Sequence, residues 1–336
     1  MSDKQKLTSL EICAGAGGQA IGLEQAGFEH TALVEYNSDA CDTLALNRSH
    51  WEIFRQDVRD FDPPRDAGIN HVDLLAGGVP CTPYSEAGQQ LGNKDERDLL
   101  PEALRLTEIL RPKALMIENV ETLAVQKKFA GTRKALSDRL RDLGYRFHIN
   151  VLDAQDFGVA QRRRRTVVVA LRDDISATFQ WPLPNWELAP TVGEVLQESM
   201  ASNGWSGAAE WARGASSVAP TLVGGSMKHG GGDLGPRRSK LEWARMRVNG
   251  NSTAATPPDP NFILKHNHGK NGWEGYPKLT YSQAALLQGF PPDWRFSGSR
   301  TAAYKQIGNA FPPPVARAVA SSIAEALTSA AGGTAA

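Results

Sequence analysis

The 336-residue sequence predicts an α/β protein built on a doubly wound, mostly parallel sheet, with a second, smaller and loop-rich region after it. Three observations support this prediction. Short apolar runs alternate with helical patterns up to about residue 171. A glycine-rich turn separates the first run from the first helical pattern. Beyond about residue 180, tryptophan, proline and glycine become frequent and interrupt any long element.

Strands and helices are predicted to alternate along the first half of the chain. The strands are the apolar runs 8–13, 28–35, 53–57, 72–76, 114–118, 145–152 and 166–171. Helical patterns lie between them, from the glycine turn through residue 26 and at 39–47, 99–110 and 129–143. Pro112 follows the third of these helices and Gly144 the fourth, and both residues are typical of helix ends. Two later helices are predicted at 281–288 and 315–327.

The composition excludes several classes of protein. Hydrophobic residues make up 41% and charged residues 22%, which is typical of a globular protein. The sequence has no apolar run of about 18 residues and no signal peptide at its start, so a cytoplasmic protein is expected. The three cysteines, Cys13, Cys41 and Cys81, predict neither a disulfide framework nor a zinc site. His266 and His268 have no third ligand nearby in the sequence, so no metal site is predicted.

The charge is unevenly distributed along the chain. The net charge is zero, but residues 205–280 contain ten Lys or Arg and five Asp or Glu, a local charge of +5. The rest of the chain therefore carries −5. A basic segment on an acidic body is what a protein needs when one face meets phosphates.

The glycine turn predicts a nucleoside cofactor. The residues from Gly15 to Ala20 fit the pattern G-x-G-x-x-A after a strand, and Glu35 follows about twenty residues later. Glycines allow the backbone to approach a ligand, the helix N-terminus offers amides, and the acid binds ribose hydroxyls. This pattern fits NAD and S-adenosylmethionine equally well, so the choice stays open at this point.

Cys81 is the candidate nucleophile. It follows an apolar strand and the pair Gly77-Gly78, and Pro80 and Thr82-Pro83 stiffen the chain around it. A thiol at the tip of a strand is accessible to a ligand, and its thiolate can attack an electrophilic ring carbon. A buried inert cysteine is the alternative.

Charged residues mark the ends of two other strands. Glu118 ends the strand at 114–118, either as a solvated strand end or as an acid facing the same crevice as the thiol. The run Gln161 to Arg165 contains four arginines and begins another strand. Such a run is typical of a solvated or phosphate-facing surface. Because alternate strand residues face the same way, Arg163 and Arg165 are expected on one side, where they could bind a substrate carbonyl.

Together these segments resemble the bacterial-type cytosine-C5 DNA methyltransferases, over almost the whole chain and in that family's order. Any one motif is weak evidence, but six in order are specific. The similar segments are Gly15 to Gly18, Pro80-Cys81 with Tyr84-Ser85, Glu118-Asn119-Val120, Gln161 with Arg163 and Arg165, Leu279-Thr280 with Leu287 to Pro291, and Gln306 to Ala310. The first motif departs from the family pattern, because Cys13 stands where phenylalanine is more common. The aromatic contact to the adenine edge is therefore unsupported at Cys13.

The resemblance implies a Rossmann-like methyltransferase fold and a covalent mechanism. Cys81 would add to C6 of cytosine, so that C5 attacks the methyl group of S-adenosylmethionine. Glu118 would hold N3 and the exocyclic amine, Arg165 the C2 carbonyl, and Arg163 the thiol or a nearby phosphate. Because this chemistry cannot occur inside a base stack, the base must be flipped out of the duplex. The segment 88–98 is the expected mobile loop that closes over it.

The resemblance also assigns the binding residues. The predicted cofactor residues are Cys13, Gly15, Gly17, Gly18, Glu35, Tyr36, Asp57, Val58, Pro80, Leu100, Asn309 and Ala310. The predicted DNA-binding residues are Ser85, Gln89, Arg97, Lys228, Arg237 and Arg238. The catalytic and cofactor-binding domain is expected at 1–185 with 300–330, the target-recognition domain at 186–299, and a frayed tail at 331–336.

The predicted activity is sequence-specific methylation of duplex DNA at cytosine C5. The enzyme is expected to be a monomer that protects host DNA in a restriction-modification system, with a cognate endonuclease as a functional partner. A tRNA-methylating member of the same family is the first alternative. An NAD-dependent oxidoreductase is a remote one, because it leaves Cys81, Glu118 and the arginine run unexplained. A DNA-binding module without activity is disfavoured by the intact cysteine and glutamate.

Overall fold

A computed structural model describes residues 6–80, 98–185, 187, 189–224, 232–265 and 272–331. Its centre is a seven-stranded sheet with the strand order β3-β2-β1-β4-β5-β7-β6. The strands are β1 (Leu7–Ile12), β2 (Phe28–Glu35), β3 (Ile53–Arg55), β4 (Leu74–Gly78), β5 (Ala114–Val120), β6 (Tyr145–Asp153) and β7 (Arg164–Arg172). The chain divides into two compact units, which are described separately. Unit 1 comprises 1–152, 164–183 and 315–336, and unit 2 comprises 153–163 and 184–314.

The sheet has the predicted doubly wound, mostly parallel topology. β1 pairs in parallel with β2 and β4, β2 with β3, and β4 with β5. β7 pairs antiparallel with β5, from Ala114 opposite Leu171 to Val120 opposite Arg165. The parallel pairing gathers the carboxyl ends of β1, β2, β4 and β5 along one edge, the edge at which α/β proteins bind ligands.

Six helices connect the strands of unit 1. They are α1 (Gly18–Gln25), α2 (Ser38–Asn47), α3 (Pro63–Ala67), α4 (Leu100–Leu110), α5 (Glu121–Val125) and α6 (Ala130–Asp142). Polar side chains cap two of them, because Asn37 accepts from the backbone N–H of Ala40 and Asp62 accepts from that of Arg65. The core lies between the sheet and these helices and includes Leu10, Ile12 and Leu115 among fully buried side chains.

Unit 2 is organised by short helices. They are α7 (Val192–Ala201), α8 (Ala208–Gly214), α9 (Arg237–Arg245), α10 (Tyr281–Gln288) and α11 (Arg300–Asn309). The last helix of the chain, α12 (Pro313–Ala331), belongs to unit 1 from Val315 onward. Capping boxes begin α7 at Thr191 and α10 at Thr280. Trp211 and Trp243 are fully buried and anchor α8 and α9. No helix among the described residues is long and apolar enough to cross a membrane.

The observed elements differ from the predicted ones mainly at their ends. β2 and α10 have the predicted bounds. β7 begins two residues earlier than predicted, at Arg164, and β4 begins two residues later and extends to Gly78. Six helices were not predicted, namely α3, α5, α7, α8, α9 and α11. The division into functional domains at 186 and 299 stays a prediction.

Candidate active site

The glycine turn and Glu35 form one structure at the carboxyl ends of β1 and β2. Gly15 and Gly17 have φ angles of 54° and 86°, which favour glycine, and Gly17 is the N-cap of α1. The backbone N–H of Gly15 donates to Glu35 Oε2 at 2.8 Å, and that of Asn37 donates to Oε1 at 2.8 Å. The carboxylate is therefore fixed by the main chain on both oxygens.

A pocket of about 270 Å³ lies beside this carboxylate. Six of its lining residues are predicted cofactor residues, namely Cys13, Glu35, Tyr36, Asp57, Val58 and Pro80. Its volume is close to the lower bound of about 300 Å³ that is typical of small-molecule sites. The ring of Tyr36 is 75% exposed, so its face is accessible to a planar ligand. A fixed acid, an accessible aromatic ring and a glycine turn fit an adenosine-bearing cofactor.

Four further residues line the pocket and were not predicted from the sequence: Val34, Gln56, Arg59 and Leu99. Leu99 lines the pocket, whereas the predicted Leu100 is buried as the first residue of α4 and is not among the lining residues. Gln56 and Arg59 lie close to the predicted cofactor residue Asp57 in the segment after β3. Their nearness to Asp57 in the sequence is the one signal that could have identified them as pocket residues. Gly15, Gly17 and Gly18 are not among the lining residues, although the N–H of Gly15 binds the lining carboxylate of Glu35.

The ionisation of the groups around the pocket follows from their burial. Burial raises the pKa of the Glu35 carboxyl, although the N–H donors of Asn37 and Gly15 partly offset this effect. Burial, with the Glu35 charge as a second cause, raises the pKa of the Cys13 thiol far above its usual range. Cys13 is therefore a neutral thiol and an unreactive wall of the pocket.

The end of β4 leads directly to the candidate nucleophile. A Cβ atom on Gly77 would lie 2.6 Å from Cγ1 of Ile12, so glycine is required for β4 to pack against β1. Gly78 is in register with Glu118 of β5, and a Cβ atom on Gly78 would lie 3.7 Å from Glu118 Oε2. Cys81 itself lies outside the described residues. The glycines bring the backbone that precedes it close to the glutamate.

Glu118 and Arg165 form the charged centre of this edge. The guanidinium Nε of Arg165 lies 3.0 Å from Glu118 Oε1, and the two side chains are only 15% and 10% exposed. Arg165 Nη1 donates to the carbonyl of Arg164 at 2.8 Å. Its Nη2 has no hydrogen-bond partner within the part of the chain that the structure describes. An acid and a guanidinium therefore form a nearly buried ion pair in unit 1.

Arg163 lies just before the first residue of β7. β7 begins at Arg164, and Arg163 belongs to unit 2, where it is 1% exposed. Its guanidinium donates to three backbone carbonyls: Nη1 to Leu222 at 2.8 Å, and Nη2 to Gly308 at 2.8 Å and Ala310 at 2.9 Å. These contacts join separate segments of unit 2, so Arg163 stabilises the packing of that unit, and its predicted contact with the thiol or a phosphate stays a prediction.

Two glutamines extend the contacts of Arg163 within unit 2. Gln161 donates to Gln288 Oε1 at 2.6 Å and accepts from the backbone N–H of Leu222 at 2.8 Å, and Gln288 donates to the carbonyl of Ala310. All three side chains are buried. We call Gln161, Arg163 and Gln288 the buried polar cluster. It holds the segment 222–224 against the end of α11, where the predicted cofactor residues Asn309 and Ala310 lie.

Close backbone packing accompanies this cluster. A Cβ atom on Gly224 would lie 2.4 Å from Asn309 Oδ1, and a Cβ atom on Gly308 would lie 2.6 Å from the carbonyl of Val223. Both positions therefore require glycine. The segment 222–224 and the end of α11 are in direct van der Waals contact.

Comparison with known proteins identifies the family. The family model of C-5 cytosine-specific DNA methylases matches residues 7–325, which is nearly the whole chain. The chain is a C-5 cytosine-specific DNA methylase. This membership excludes the NAD-dependent oxidoreductase alternative.

The methylase is similar to curated and to solved relatives. It is 47% identical to the Type II methyltransferase M.NaeI of Lentzea aerocolonigenes, covering 96% of this chain and 76% of the relative. It is 45% identical to the Type II methyltransferase M.NgoMIV of Neisseria gonorrhoeae, covering 96% and 98%. Its fold is similar to that of a DNMT2 mutant from Spodoptera frugiperda, with a TM-score of 0.64 at 15% identity, covering 96% of this chain and 99% of the other.

The predicted DNA-binding residues of the methylase are only partly described. Ser85, Gln89, Arg97 and Lys228 lie outside the described residues. Arg237 and Arg238 are exposed at the start of α9. Within the described ranges no three His, Cys, Asp or Glu side chains are grouped as metal ligands. His266 and His268 lie outside those ranges.

Proposed function

We propose that this methylase transfers a methyl group from S-adenosylmethionine to C5 of a flipped-out cytosine in duplex DNA through a covalent adduct with Cys81. The observation that carries the proposal is the Glu118–Arg165 pair at 3.0 Å, opposite the glycine end of β4 that leads to Cys81. An acid and a guanidinium that lie this close together can hydrogen-bond neighbouring atoms of one pyrimidine ring, the acid at N3 and the guanidinium at the C2 carbonyl.

The chain's own groups perform the following steps on the base. The Cys81 thiolate adds its electron pair to C6, while Glu118 hydrogen-bonds N3 and the exocyclic amine and Arg165 Nη2 binds the C2 carbonyl. As the thiolate adds, the Glu118 carboxyl group passes a proton to N3, which neutralises the charge on the ring and makes C5 an enamine-type nucleophile; the proton returns to Glu118 when the thiolate leaves. After C5 has taken the methyl group, with S-adenosylhomocysteine as the leaving group, a base from solvent removes the C5 proton. The electron pair of that C–H bond restores the C5–C6 double bond and expels the Cys81 thiolate.

The pocket beside Glu35 is the proposed cofactor site. Glu35 would bind the ribose hydroxyls, Tyr36 would lie against the adenine and Asp57 near its amine, with Gly17, Gly18, Pro80, Asn309 and Ala310 completing the site. S-adenosylmethionine supplies an electrophilic methyl group when it is bound. The buried carboxylate supports this assignment, because its two backbone N–H contacts orient it before any ligand arrives.

The two predicted domains have different proposed functions. We propose that residues 1–185 with 300–330 bind the cofactor and perform the reaction, and that 186–299 recognise the DNA sequence. A base that is paired and stacked cannot reach a thiol held at a strand end, so the target must leave the duplex.

The relatives named Type II methyltransferases support a role in restriction-modification. We propose that the enzyme acts as a monomer and protects host DNA from a cognate endonuclease. That endonuclease is a functional partner rather than a bound subunit.

The test is methyl transfer from tritiated S-adenosylmethionine to duplex DNA, with tRNA as the competing substrate and the Cys81→Ala variant as the control. Label should enter DNA with the wild-type enzyme alone. Bisulfite sequencing of the product then gives the modified carbon and the recognition sequence. Label in tRNA and none in any DNA would establish the alternative function instead.

A further inference from the structure

The four arginines of the run 162–165 have four different environments. Arg163 is buried in the polar cluster, Arg164 pairs with Glu121 at 2.9 Å, and Arg165 pairs with Glu118 at 3.0 Å. Arg162 is the remaining member, and its side chain is 55% exposed in unit 2. The family resemblance assigns no role to Arg162, because it occupies a variable position of the Q-x-R-x-R motif.

The backbone of Arg162 is fixed on both sides. Its N–H donates to the carbonyl of Ala219 at 2.8 Å, and its carbonyl accepts from Thr221 Oγ1 at 2.7 Å. The neighbouring side chains of Gln161 and Arg163 are buried. An extended backbone held in this way directs the side chain between them outward, so Arg162 presents its guanidinium from a rigid base.

Glu242 on α9 lies between two exposed arginines without binding either tightly. Its carboxylate is 3.7 Å from Arg162 and 3.8 Å from Arg238, whose side chain is 93% exposed. Neither separation is a hydrogen bond. Arg237 directly precedes Arg238 on α9, is also exposed, and forms no ion pair with another described residue. We call Arg162, Arg237 and Arg238 the α9 arginine surface.

The long separations around Glu242 contrast with the ion pairs of unit 1. Most arginines of unit 1 are hydrogen-bonded to their acidic partners, so their N–H donors are already used. Examples are Arg65–Asp66 at 2.6 Å, Arg139–Glu108 at 2.6 Å, Arg105–Glu102 at 2.7 Å and Arg48–Glu24 at 2.9 Å. In the α9 arginine surface, by contrast, Glu242 is too far from Arg162 and Arg238 for a hydrogen bond. Their guanidinium N–H groups therefore stay available to a ligand. Available planar forks of donors match the oxygens of a phosphate.

We propose that Arg162 is a contact to the phosphate backbone of DNA and that Glu242 weakens this contact. The proposal rests on the proposed function, since it requires DNA to be the substrate. Three arginines on one surface, with one acid among them, carry a local charge of +2. A phosphate contact carries no sequence information, so the contribution of Arg162 is the same for cognate and unrelated duplexes.

The experiment is a salt titration of DNA binding, measured by fluorescence anisotropy of a labelled duplex between 50 and 200 mM NaCl. Neutralising one phosphate changes the slope of log K against log salt by about 0.9, which corresponds to about eightfold in affinity near 0.1 M salt. Arg162→Gln should flatten the slope by about 0.9 and weaken both cognate and unrelated duplexes alike. Glu242→Gln should strengthen DNA binding by about threefold, because it removes the weak competition of an exposed ion pair for the arginines.

Arg139→Gln is the matched control. Arg139 is 45% exposed, but Glu108 binds it at 2.6 Å in unit 1, so its loss should leave the DNA affinity and the slope unchanged. Thermal unfolding of every variant separates loss of binding from loss of fold. An unchanged slope in a folded Arg162→Gln protein, or weaker binding in Glu242→Gln, would overturn the proposal. Failure of the wild-type enzyme to methylate any DNA would instead overturn the proposed function.

Discussion

Replacing Arg163 with alanine should destabilise the protein strongly. The change removes three charge-assisted hydrogen bonds of 2.8, 2.8 and 2.9 Å and leaves buried carbonyls of Leu222, Gly308 and Ala310 without this donor. Bonds to a charged group contribute about 1.5–3 kcal/mol each. Because neighbouring effects are not additive and water can enter the space, we expect a loss of about 4 kcal/mol rather than the full sum. That is a large part of the ~5–15 kcal/mol that holds a typical protein folded.

The assay is urea unfolding followed by tryptophan fluorescence, because Trp211 and Trp243 are fully buried in unit 2. The matched comparison is Arg165→Ala. Arg165 makes one ion pair at 3.0 Å and is still 15% exposed, so its removal should cost about 1–2 kcal/mol. Methyl transfer by the folded Arg165→Ala protein should nevertheless fall by about 100-fold or more, since it loses the proposed grip on the C2 carbonyl.

One result would refute this reasoning. If Arg163→Ala unfolds at the wild-type urea concentration but has lost turnover, Arg163 contacts a reacting group or a phosphate, as its motif position first indicated. Arg163→Lys adds a second check, because a lysine keeps the charge but has no planar fork to reach three carbonyls. It should recover only part of the lost stability.

Three further outcomes are expected. Cys81→Ser should lose methyl transfer and keep cofactor binding, measured by calorimetry with S-adenosylhomocysteine; a wild-type rate would remove Cys81 from the mechanism. Burial raises the pKa of Cys41 to about 11, so at pH 8 about one in a thousand of its thiols is ionised. Peptide mapping after iodoacetamide treatment at pH 8 should therefore find label on Cys81 well before Cys41 or Cys13, and labelling of Cys41 should accelerate about tenfold per pH unit up to its pKa. Rapid labelling of native Cys41 at pH 8 would contradict its burial. Gly77→Ala should cost about 1–3 kcal/mol in urea unfolding, because its Cβ would lie 2.6 Å from a side-chain atom of Ile12; an unchanged midpoint would show that β1 and β4 separate easily.

Much of the sheet was predictable from the sequence because β1, β4, β5 and most of β7 are buried on both faces. Runs such as 28–35 are almost continuously apolar toward the carboxyl end, and alternation with helical patterns implies parallel strands. The start of β7 was missed because Arg164 and Arg165 resemble a solvated run. Their pairing with Glu121 and Glu118 becomes visible only when β5 and β7 lie side by side.

The helices of unit 2 were harder to predict because they are short and separated by glycines. A capping box at Thr191 and Glu194 was a signal for α7 that hydrophobic periodicity does not provide. The partners of Arg163 could not be predicted at all. They are backbone carbonyls 59, 145 and 147 residues away. Because every residue has a backbone carbonyl, the sequence does not indicate which ones accept from Arg163.

The contact of Gly224 with Asn309 limits how the proposed target-recognition region could be exchanged between related enzymes. A chimera that takes only one of these two residues from another enzyme would place it beside a neighbour to which it is not matched. The same applies to Gln161 and Gln288, whose 2.6 Å hydrogen bond spans 127 positions. Exchange points placed after Gly224 and before Thr280 would leave these four residues with their original partners. Recombination within those limits should transfer sequence preference while the scaffold stays intact.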